Sequence, residues 1–250
     1  MKNKRDRRKS QLEDDFVKED LEQMTRAVNY LEYQYRMIKP HLGKRIMEIG
    51  SGIGTFTARL LRIAEIVVSI EPNKYCFGKL QDDLGCNKSL VLVNKKIEEC
   101  HCPELQSYLP DTIICLNVLE HIEDDSATIE NFYRILKPGG KLLLVVPSPD
   151  WAFGVIDRAV GHFRRYSRNQ LSSLVKKNGF REVYTRYYNP IGLVGWLWNG
   201  KVAGIVKQSD RQIYIFDRLV IPLQSFIEKW IKFPLGQSLL LVAVKDDQIE

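Results

Sequence analysis

Residues 46–57 read IMEIGSGIGTFT, an apolar run that enters a turn with three glycines and leaves it as a helix. Glycine lets the backbone adopt positive φ and approach a ligand closely. An acidic residue, Glu71, closes the next apolar run seventeen residues after Gly54. A carboxylate at that position can accept hydrogen bonds from both hydroxyls of a ribose. This stretch therefore predicts a nucleoside-binding site at the ends of two neighbouring strands.

Around this turn, short apolar runs alternate with amphipathic helices. The runs are rich in β-branched residues and carry few polar ones, as expected of central parallel strands that are covered on both faces. The predicted strands are Arg45–Ile49, Ile66–Glu71, Leu90–Asn94, Thr112–Asn117 and Lys141–Pro147. The predicted helices are Thr55–Ile63, Lys74–Leu84 and Asp125–Leu136. This order favours an α/β fold with a doubly wound sheet.

The C-terminal part of the chain follows a different pattern. A capping box, Ser167 to Gln170, predicts a helix that ends near Lys177, and the runs 181–188 and 239–245 predict two more strands. Residues 189–238 separate these strands, which is too long a connection to lack structure in a compact domain. Apolar residues recur at helical spacing over 213–231. We therefore predict a helical cap, residues 189–238, inserted between the last two strands.

Charge and cysteine content limit the functional classes. The first nine residues carry +5 of the formal net charge of +6, so the rest of the chain is nearly neutral. Residues 1–22 are predicted to form a charged, poorly ordered lead, and residues 23–250 the folded domain. The five cysteines are scattered, and the lone pair Cys100 and Cys102 lacks the spacing of a zinc site, so no metal is predicted. Without an apolar leader or a long apolar run, the expected location is cytoplasmic.

The glycine spacing points to a family. Gly50-x-Gly52-x-Gly54 differs from the dinucleotide fingerprint G-x-G-x-x-G and, with Glu48 before it, resembles the first motif of class I S-adenosylmethionine-dependent methyltransferases. Residues 111–121 resemble the fourth motif of that family, and residues 136–145 resemble its fifth strand with the preceding turn. The chain is identified as a member of the bacterial small-molecule type. The resemblance implies a Rossmann-like, mostly parallel seven-stranded sheet and S-adenosylmethionine as the cofactor.

The resemblance also implies which residues hold the cofactor. It places Asn117 and Val118 beside the methionine end of the ligand, Ile97 on the adenine ring, and Glu71 on the ribose. Many members carry an acid that reads the adenine amino group, whereas this chain has Lys95 and Lys96 there. The predicted cofactor-binding residues are Glu48, Gly50, Ser51, Gly52, Gly54, Glu71, Pro72, Ile97, Asn117 and Val118.

The acceptor side is expected on the loop after the fifth strand, which overhangs the strand ends where ligands bind. Residues 161–166 read GHFRRY and resemble a segment of bacterial small-molecule methyltransferases. Arg164, Arg165 and Tyr166 are predicted to bind the acceptor, since arginine holds phosphate or carboxylate in a bidentate way. His162 is a candidate general base, and His121 is a second one. The alternatives are that the arginines pair with surface acids and that His121 packs at the start of the next helix.

Together these features predict in-line methyl transfer to an oxygen, with nitrogen or carbon less favoured, of a small-molecule or lipid-like acceptor. The fourth motif lacks the segments that nucleic-acid methylation uses, so nucleic acid is an unlikely substrate. Aromatic residues in the cap suggest either packing onto the sheet or a peripheral membrane contact. The alternatives are a nicotinamide-dependent reductase, a non-catalytic methyltransferase-like binding protein, and a protein or nucleic-acid methyltransferase. The oligomeric state and the acceptor are not predicted.

Overall fold

The protein folds around one mixed β-sheet; the computed structural model describes residues 25–204 and 209–246. The strands are β1 (Arg45–Ile49), β2 (Ile66–Ile70), β3 (Leu90–Val93), β4 (Thr112–Leu116), β5 (Lys141–Pro147), β6 (Phe180–Tyr188) and β7 (Ser238–Lys245). Their order is β3-β2-β1-β4-β5-β7-β6. The first five are parallel, and β7 runs antiparallel between β5 and β6. The predicted seven-stranded, mostly parallel sheet is confirmed.

Helices cover both faces of this sheet. The α-helices are α1 (Val28–Ile38), α2 (Thr57–Leu60), α3 (Lys74–Leu84), α4 (Cys102–Gln106), α5 (Asp125–Ile135), α6 (Val155–Ala159), α7 (Arg168–Lys177), α8 (Pro190–Leu197), α9 (Asp210–Ile215) and α10 (Ile221–Ile227). Short 3-10 turns occupy Lys39–His41, Ile97–Glu99, Leu119–His121 and Asp150–Ala152. Ser167 caps α7 through its hydroxyl, which accepts the Gln170 N–H, as the capping box predicts.

Two hydrophobic cores lie on opposite faces of the sheet. Alternate residues of one strand point to opposite faces, so Ile113 joins one core and Ile114 the other. Cys115 is fully buried in the first core, as expected for a residue that faces inward. Covering both faces leaves the strand ends as the place where polar side chains reach solvent.

The strand order reverses beside β1, which is flanked by β2 and β4. In an open α/β sheet, a crevice forms at such a point, outside the carboxyl ends of the strands. β2 and β4 each end one residue earlier than predicted. Glu71 and Asn117 are therefore the first residues beyond their strands, where a side chain is free to turn into the crevice.

One helix is shorter than predicted. The predicted helix 55–63 is α-helical only over Thr57–Leu60, and residues 61–63 form turns. The N–H groups of Arg62 and Ile63 donate to carbonyls three residues back, which tightens the backbone. Lys44 Nζ then donates to the Ile63 carbonyl at 2.9 Å and ends the turn.

The predicted cap is helical. Between β6 and β7 the chain forms α8, a π-helical turn at Trp198–Ala203, then α9, a second π-helical turn at Phe216–Val220, and α10. Pro222 lacks the N–H that an α-helix needs, and it directly follows the second widened turn. Among the described residues, no helix is both long enough and apolar enough to cross a bilayer. The predicted lead, residues 1–22, lies outside the described residues, and the division into lead, domain and cap stays a prediction.

Candidate active site

The glycine turn after β1 adopts a backbone that other residues disfavour. Gly50, Gly52 and Gly54 have φ of 71°, 55° and 86°. A side chain at Gly50 would collide with Val118, and one at Gly54 would collide with Leu80 of α3. The turn is held down because the Gly50 N–H donates to the Ile70 carbonyl at 2.8 Å. These positions therefore require glycine for backbone conformation and for packing.

Glu71 faces this turn from the end of β2. Its Oε2 accepts the Gly52 N–H at 2.7 Å, and its Oε1 accepts the Asn73 N–H at 2.8 Å. The side chain is buried, and burial raises the pKa of Glu71 against the opposing effect of these two hydrogen bonds. Each carboxylate oxygen can accept a second hydrogen bond. Exposed Pro72 follows directly and turns the chain away into α3.

Glu48, predicted to contact the cofactor, lies beneath the turn. Its Oε2 accepts hydrogen bonds from Thr57 Oγ at 2.6 Å and from Ser69 Oγ at 3.1 Å. Burial raises the pKa of Glu48 to about 7. The carboxyl group thus ties β1 to β2 and to the start of α2, and it orders the loop from below.

The loop also suits a bound nucleoside. Ser51 Oγ is buried and, within the described part of the chain, has no hydrogen-bond partner. A buried hydroxyl without a partner is costly, so such a group indicates a missing ligand or water. Together with the spare acceptor capacity of Glu71, it provides polar partners for a ribose and the groups beside it. The residues present therefore fit the nucleoside that the sequence predicts.

Two further predicted cofactor residues follow β4. Asn117 is exposed to solvent, and its backbone adopts the left-handed conformation with φ of 53°. Its N–H donates to the Val145 carbonyl at 2.8 Å. Val118 fills the space opposite Gly50. Ile97 is 5% exposed and belongs to the core beside β2. Asn117 and Val118 thus lie next to the glycine turn, whereas Ile97 packs mainly against protein.

A histidine and an aspartate form a pair on the loop after β5. His162 Nδ1 lies 2.9 Å from Asp157 Oδ1, and Asp157 is fully buried in α6. Arg165 Nε donates to the same oxygen at 2.7 Å. Although burial opposes it, these hydrogen bonds hold the pKa of Asp157 below its usual range. The ionised Asp157 fixes the His162 ring, because a carboxylate on one ring nitrogen sets the role of the other.

The 3-10 turn after β4 faces this pair. His162 Nε2 lies 3.9 Å from Glu120 Oε1, and the His121 and His162 rings are 4.7 Å apart, edge to face. Glu120 is buried, and its Oε2 has no partner among the described residues. Desolvation by the surrounding protein, together with the neighbouring His162, lowers the pKa of His121 to about 4, although the residue as a whole is exposed. One ligand atom from each of Glu120, His121 and His162 lies within 4.8 Å of the others, a spacing that a metal ion could bridge.

The predicted acceptor residues differ in their surroundings. Arg164 is partly exposed, pairs with Asp125 at 2.7 Å and donates to the Glu123 carbonyl. Arg165 is 4% exposed and lies over the Trp196 ring of the cap, 4.3 Å from its centroid. Tyr166 is buried, and its hydroxyl donates to Asp125 at 2.8 Å. Both arginines thus pair with acids, as the alternative interpretation expects, but the partner of Arg165, Asp157, is buried and not a surface acid.

The structure brings most of the predicted site together at one end of the sheet. The predicted site residues do not include Glu120, although it stands between two of them, nor Asp157. Asp125, which holds Arg164 and Tyr166, was missed. An acid five residues before His162 in a loop was the available signal for Asp157.

Glu120 supplies a pH test of the site. Burial, with the Asp157 charge in support, raises the pKa of Glu120 to about 8, whereas an unfolded chain ionises glutamate near its ordinary value, about 4.3. The folded state therefore binds this proton more tightly, and stability is lost as pH rises from that value towards 8. Glu120→Gln cannot ionise. Between pH 5 and 8 the parent should therefore lose stability that the variant keeps. We expect the difference in free energy of unfolding, variant minus parent, to increase by on the order of 4 kcal/mol over this range.

Urea unfolding of both proteins at the two pH values measures this difference. Exposed Glu123, three residues away, gives the matched control, and Glu123→Gln should leave the pH dependence of the parent unchanged. A Glu120→Gln protein whose stability followed pH as the parent does would contradict a raised pKa at this position.

Comparison with known proteins shows which family and which relatives this sequence resembles. The family model described as a methyltransferase domain matches residues 17–185. Phosphoethanolamine N-methyltransferase 3 of Arabidopsis thaliana is 26% identical over 156 residues, which cover 58% of this chain and 30% of that protein. A ubiquinone biosynthesis O-methyltransferase of Coxiella burnetii is 20% identical over 179 residues, or 66% of this chain and 74% of that one. The chain thus spans under a third of the plant protein.

A solved structure shares the fold. The 1,6-didemethyltoxoflavin-N1-methyltransferase of Burkholderia thailandensis, bound to its substrate and S-adenosylhomocysteine, superposes with a TM-score of 0.60 at 16% identity. The alignment covers 94% of this chain and 88% of that one. At this identity, the likeness supports the fold alone.

Proposed function

Because the chain belongs to the methyltransferase-domain family and is an S-adenosylmethionine-dependent enzyme, we propose that it transfers a methyl group in line to an oxygen of a small-molecule or lipid-like acceptor. Nitrogen and carbon acceptors are the less favoured versions of this proposal. The observation that carries the choice of oxygen is the His162–Asp157 pair beside the end of β4. A hydroxyl acceptor must lose a proton during methyl transfer, and this pair provides a base held in one orientation.

The cofactor-binding side uses the groups described at the strand ends. When bound, S-adenosylmethionine supplies an electrophilic methyl group on a sulfonium. Glu71 would accept hydrogen bonds from the ribose hydroxyls, and the glycine turn would let the backbone lie against the nucleoside. Asn117 and Val118 would line the methionine end. Holding two reactants in line accounts for on the order of 7–11 kcal/mol of a barrier, so positioning is the main contribution of this chain.

Proton removal is assigned to His162. Nδ1 is held by Asp157, and within the described part of the chain the structure records no hydrogen bond to Nε2. The acceptor oxygen would take the methyl group of the bound cofactor, and the electrons of the broken carbon–sulfur bond would stay on sulfur. The hydroxyl proton of the acceptor would pass to His162 Nε2. His121, whose pKa is lowered to about 4, is a weaker base and therefore the lesser candidate for this role.

The proposed class of acceptor follows from the residues of the cap and of the loop that the cap covers. Arg164 is partly exposed and is assigned to an anionic group of the acceptor, while Arg165 and Tyr166 hold the loop in place. Arg165 contacts Trp196, so the apolar helix α8 borders this loop. The curated relatives are named as an O-methyltransferase and an N-methyltransferase, which leaves nitrogen as the second candidate atom. A protein or nucleic-acid acceptor remains the alternative outside this class.

The proposed location is the cytoplasm. All five cysteines are described, and all are free thiols, which supports a reducing compartment.

A panel of hydroxyl acceptors with matched head groups and increasing chain length tests the acceptor class. Methyl transfer, followed with labelled S-adenosylmethionine, should increase with chain length because the apolar cap borders the acceptor loop. Short-chain acceptors should react slowly or not at all. Activity that did not depend on chain length would contradict a lipid-like acceptor, and preference for an amine series would move the assignment from oxygen to nitrogen.

A further inference from the structure

The second half of the cap exposes a continuous apolar stripe. It begins at Tyr214 and Ile215 of α9, and four further residues follow at spacings of three or four along the π-helical turn, α10 and the turn after it, which keeps them on one side of the helix. We define the outer face of the cap as this stripe: Tyr214, Ile215, Leu219, Leu223, Phe226 and Trp230, each between 43% and 81% exposed. A contiguous apolar surface of this kind is uncommon on a soluble monomer and indicates a binding surface.

The opposite side of the same helices is polar and buried. Asp217 accepts hydrogen bonds from the Asn29 side chain and from the Tyr30 N–H of α1. Glu228 is 2% exposed and accepts a hydrogen bond from Tyr33, also in α1. The inner side of these helices therefore buries Asp217 and Glu228 together with apolar Ile221, while large apolar side chains stay on the exposed side. These hydrogen bonds fix the orientation of the outer face.

A second apolar stripe continues this surface. Ile191, Val194 and Trp198 of the first cap helix are 42%, 67% and 62% exposed. An apolar cavity of about 170 Å³ lies between the two stripes, lined by Pro190, Ile191, Val194, Gln224, Ile227 and Phe233. The two stripes thus meet along a groove that is open to apolar groups.

The exposed charges around the outer face are basic apart from Asp210. Arg211, Arg218, Lys229 and Lys232 are exposed on or just beyond the same helices. Among described residues 209–235 the acids are Asp210, Asp217 and Glu228. The latter two are buried, and Asp210 pairs with Arg26 at 3.4 Å. An apolar stripe with a basic border matches an anionic lipid surface, where apolar groups enter the acyl boundary and cations meet the head groups.

We propose that the outer face of the cap binds an anionic lipid bilayer, with its apolar stripe inserted at the interface. A second copy of this chain fits less well, because a symmetric contact would bring the two basic borders together. The first half of the cap, and not the outer face, borders the acceptor loop, since Trp196 contacts Arg165 and Gly200 packs near Ile156 of α6.

Cosedimentation of the full chain with vesicles tests the proposal without any methyl transfer, so its failure is independent of the proposed reaction. The probes are vesicles of phosphatidylcholine alone and of phosphatidylcholine with phosphatidylglycerol. We expect binding to the anionic vesicles, weaker binding at high salt, and a loss of at least about tenfold in Leu223→Glu and Phe226→Glu, since a charge at the stripe opposes insertion. Val183→Glu, at a position 45% exposed on β6, is the matched control and should bind as the parent does.

Circular dichroism of each variant checks that the fold is retained. Equal binding to both kinds of vesicle would overturn the proposal, because the basic border would then play no part. Equal loss in the Val183→Glu control would overturn it as well. Absence of vesicle binding, with a dimer in light scattering that Leu223→Glu dissociates, would assign the outer face to a second copy and reject the lipid surface.

Discussion

Replacing Glu71 by alanine is expected to weaken the binding of S-adenosylhomocysteine by on the order of 100-fold or more. A hydrogen bond to a charged group contributes about 1.5–3 kcal/mol, and the ribose diol would make two of them with this carboxylate. The same oxygens accept the N–H groups of Gly52 and Asn73, so the variant also loses the contact that holds the glycine turn against β2. Both losses weaken the binding of S-adenosylhomocysteine.

Calorimetric titration of the parent and the variant with S-adenosylhomocysteine, beside NADH, measures this effect. Glu65 is an exposed acid immediately before β2, whereas Glu71 immediately follows it. Glu65→Ala therefore removes an acid from the opposite end of the same strand, and it should bind as the parent does. Binding that survived in Glu71→Ala would reject the ribose assignment, and binding of NADH would overturn the argument from glycine spacing.

The same titration carries a pH dependence. Burial raises the pKa of Glu71, and the ribose hydroxyls donate best to the ionised carboxylate. The affinity for S-adenosylhomocysteine should therefore be highest at neutral pH and fall as the pH drops through the raised pKa of Glu71. This fall should occur at a higher pH than it would for an exposed glutamate.

The sheet could be predicted from sequence because its strands are buried on both faces. Such strands read as unbroken β-branched runs, and the predicted bounds of β1 and β5 match those of the structure. The glycine turn was predictable for a related reason, because a backbone with positive φ next to Val118 and Leu80 leaves no choice of residue. A required backbone conformation restricts the residue type at that position, so it can be recognised from the local sequence.

The acceptor side could be predicted only as a region. The partners of Arg165 and Tyr166, Asp157 and Asp125, lie eight and 41 residues away, and pairings of that kind follow from packing. For the same reason, the sequence alone did not predict that two acids of the cap are buried. Asp217 and Glu228 fall at helical spacing among apolar residues, and only contact with α1 decides which side is buried.

His162→Gln is expected to lower kcat for a hydroxyl acceptor by about 10²–10⁴-fold, the usual contribution of a general base. The substitution keeps a polar side chain but removes the proton acceptor. His121→Gln is the matched control, because its ring lies 4.7 Å from His162 and it is not held by Asp157. We expect it to change kcat by less than about tenfold, below the range of a general base.

Asp157 is a positioning residue, and its test separates orientation from structure. Asp157→Asn retains the shape of the side chain but removes the charge that fixes the His162 ring and pairs with Arg165. If Asp157 acts through His162, the double variant should be no slower than His162→Gln alone, because residues that act as a unit are not additive. KM for the acceptor should change less than kcat in the single variants. Losses that multiplied in the double variant would show that Asp157 only stabilises the loop. A His162→Gln enzyme that kept the parental rate would assign the proton transfer to a group other than His162.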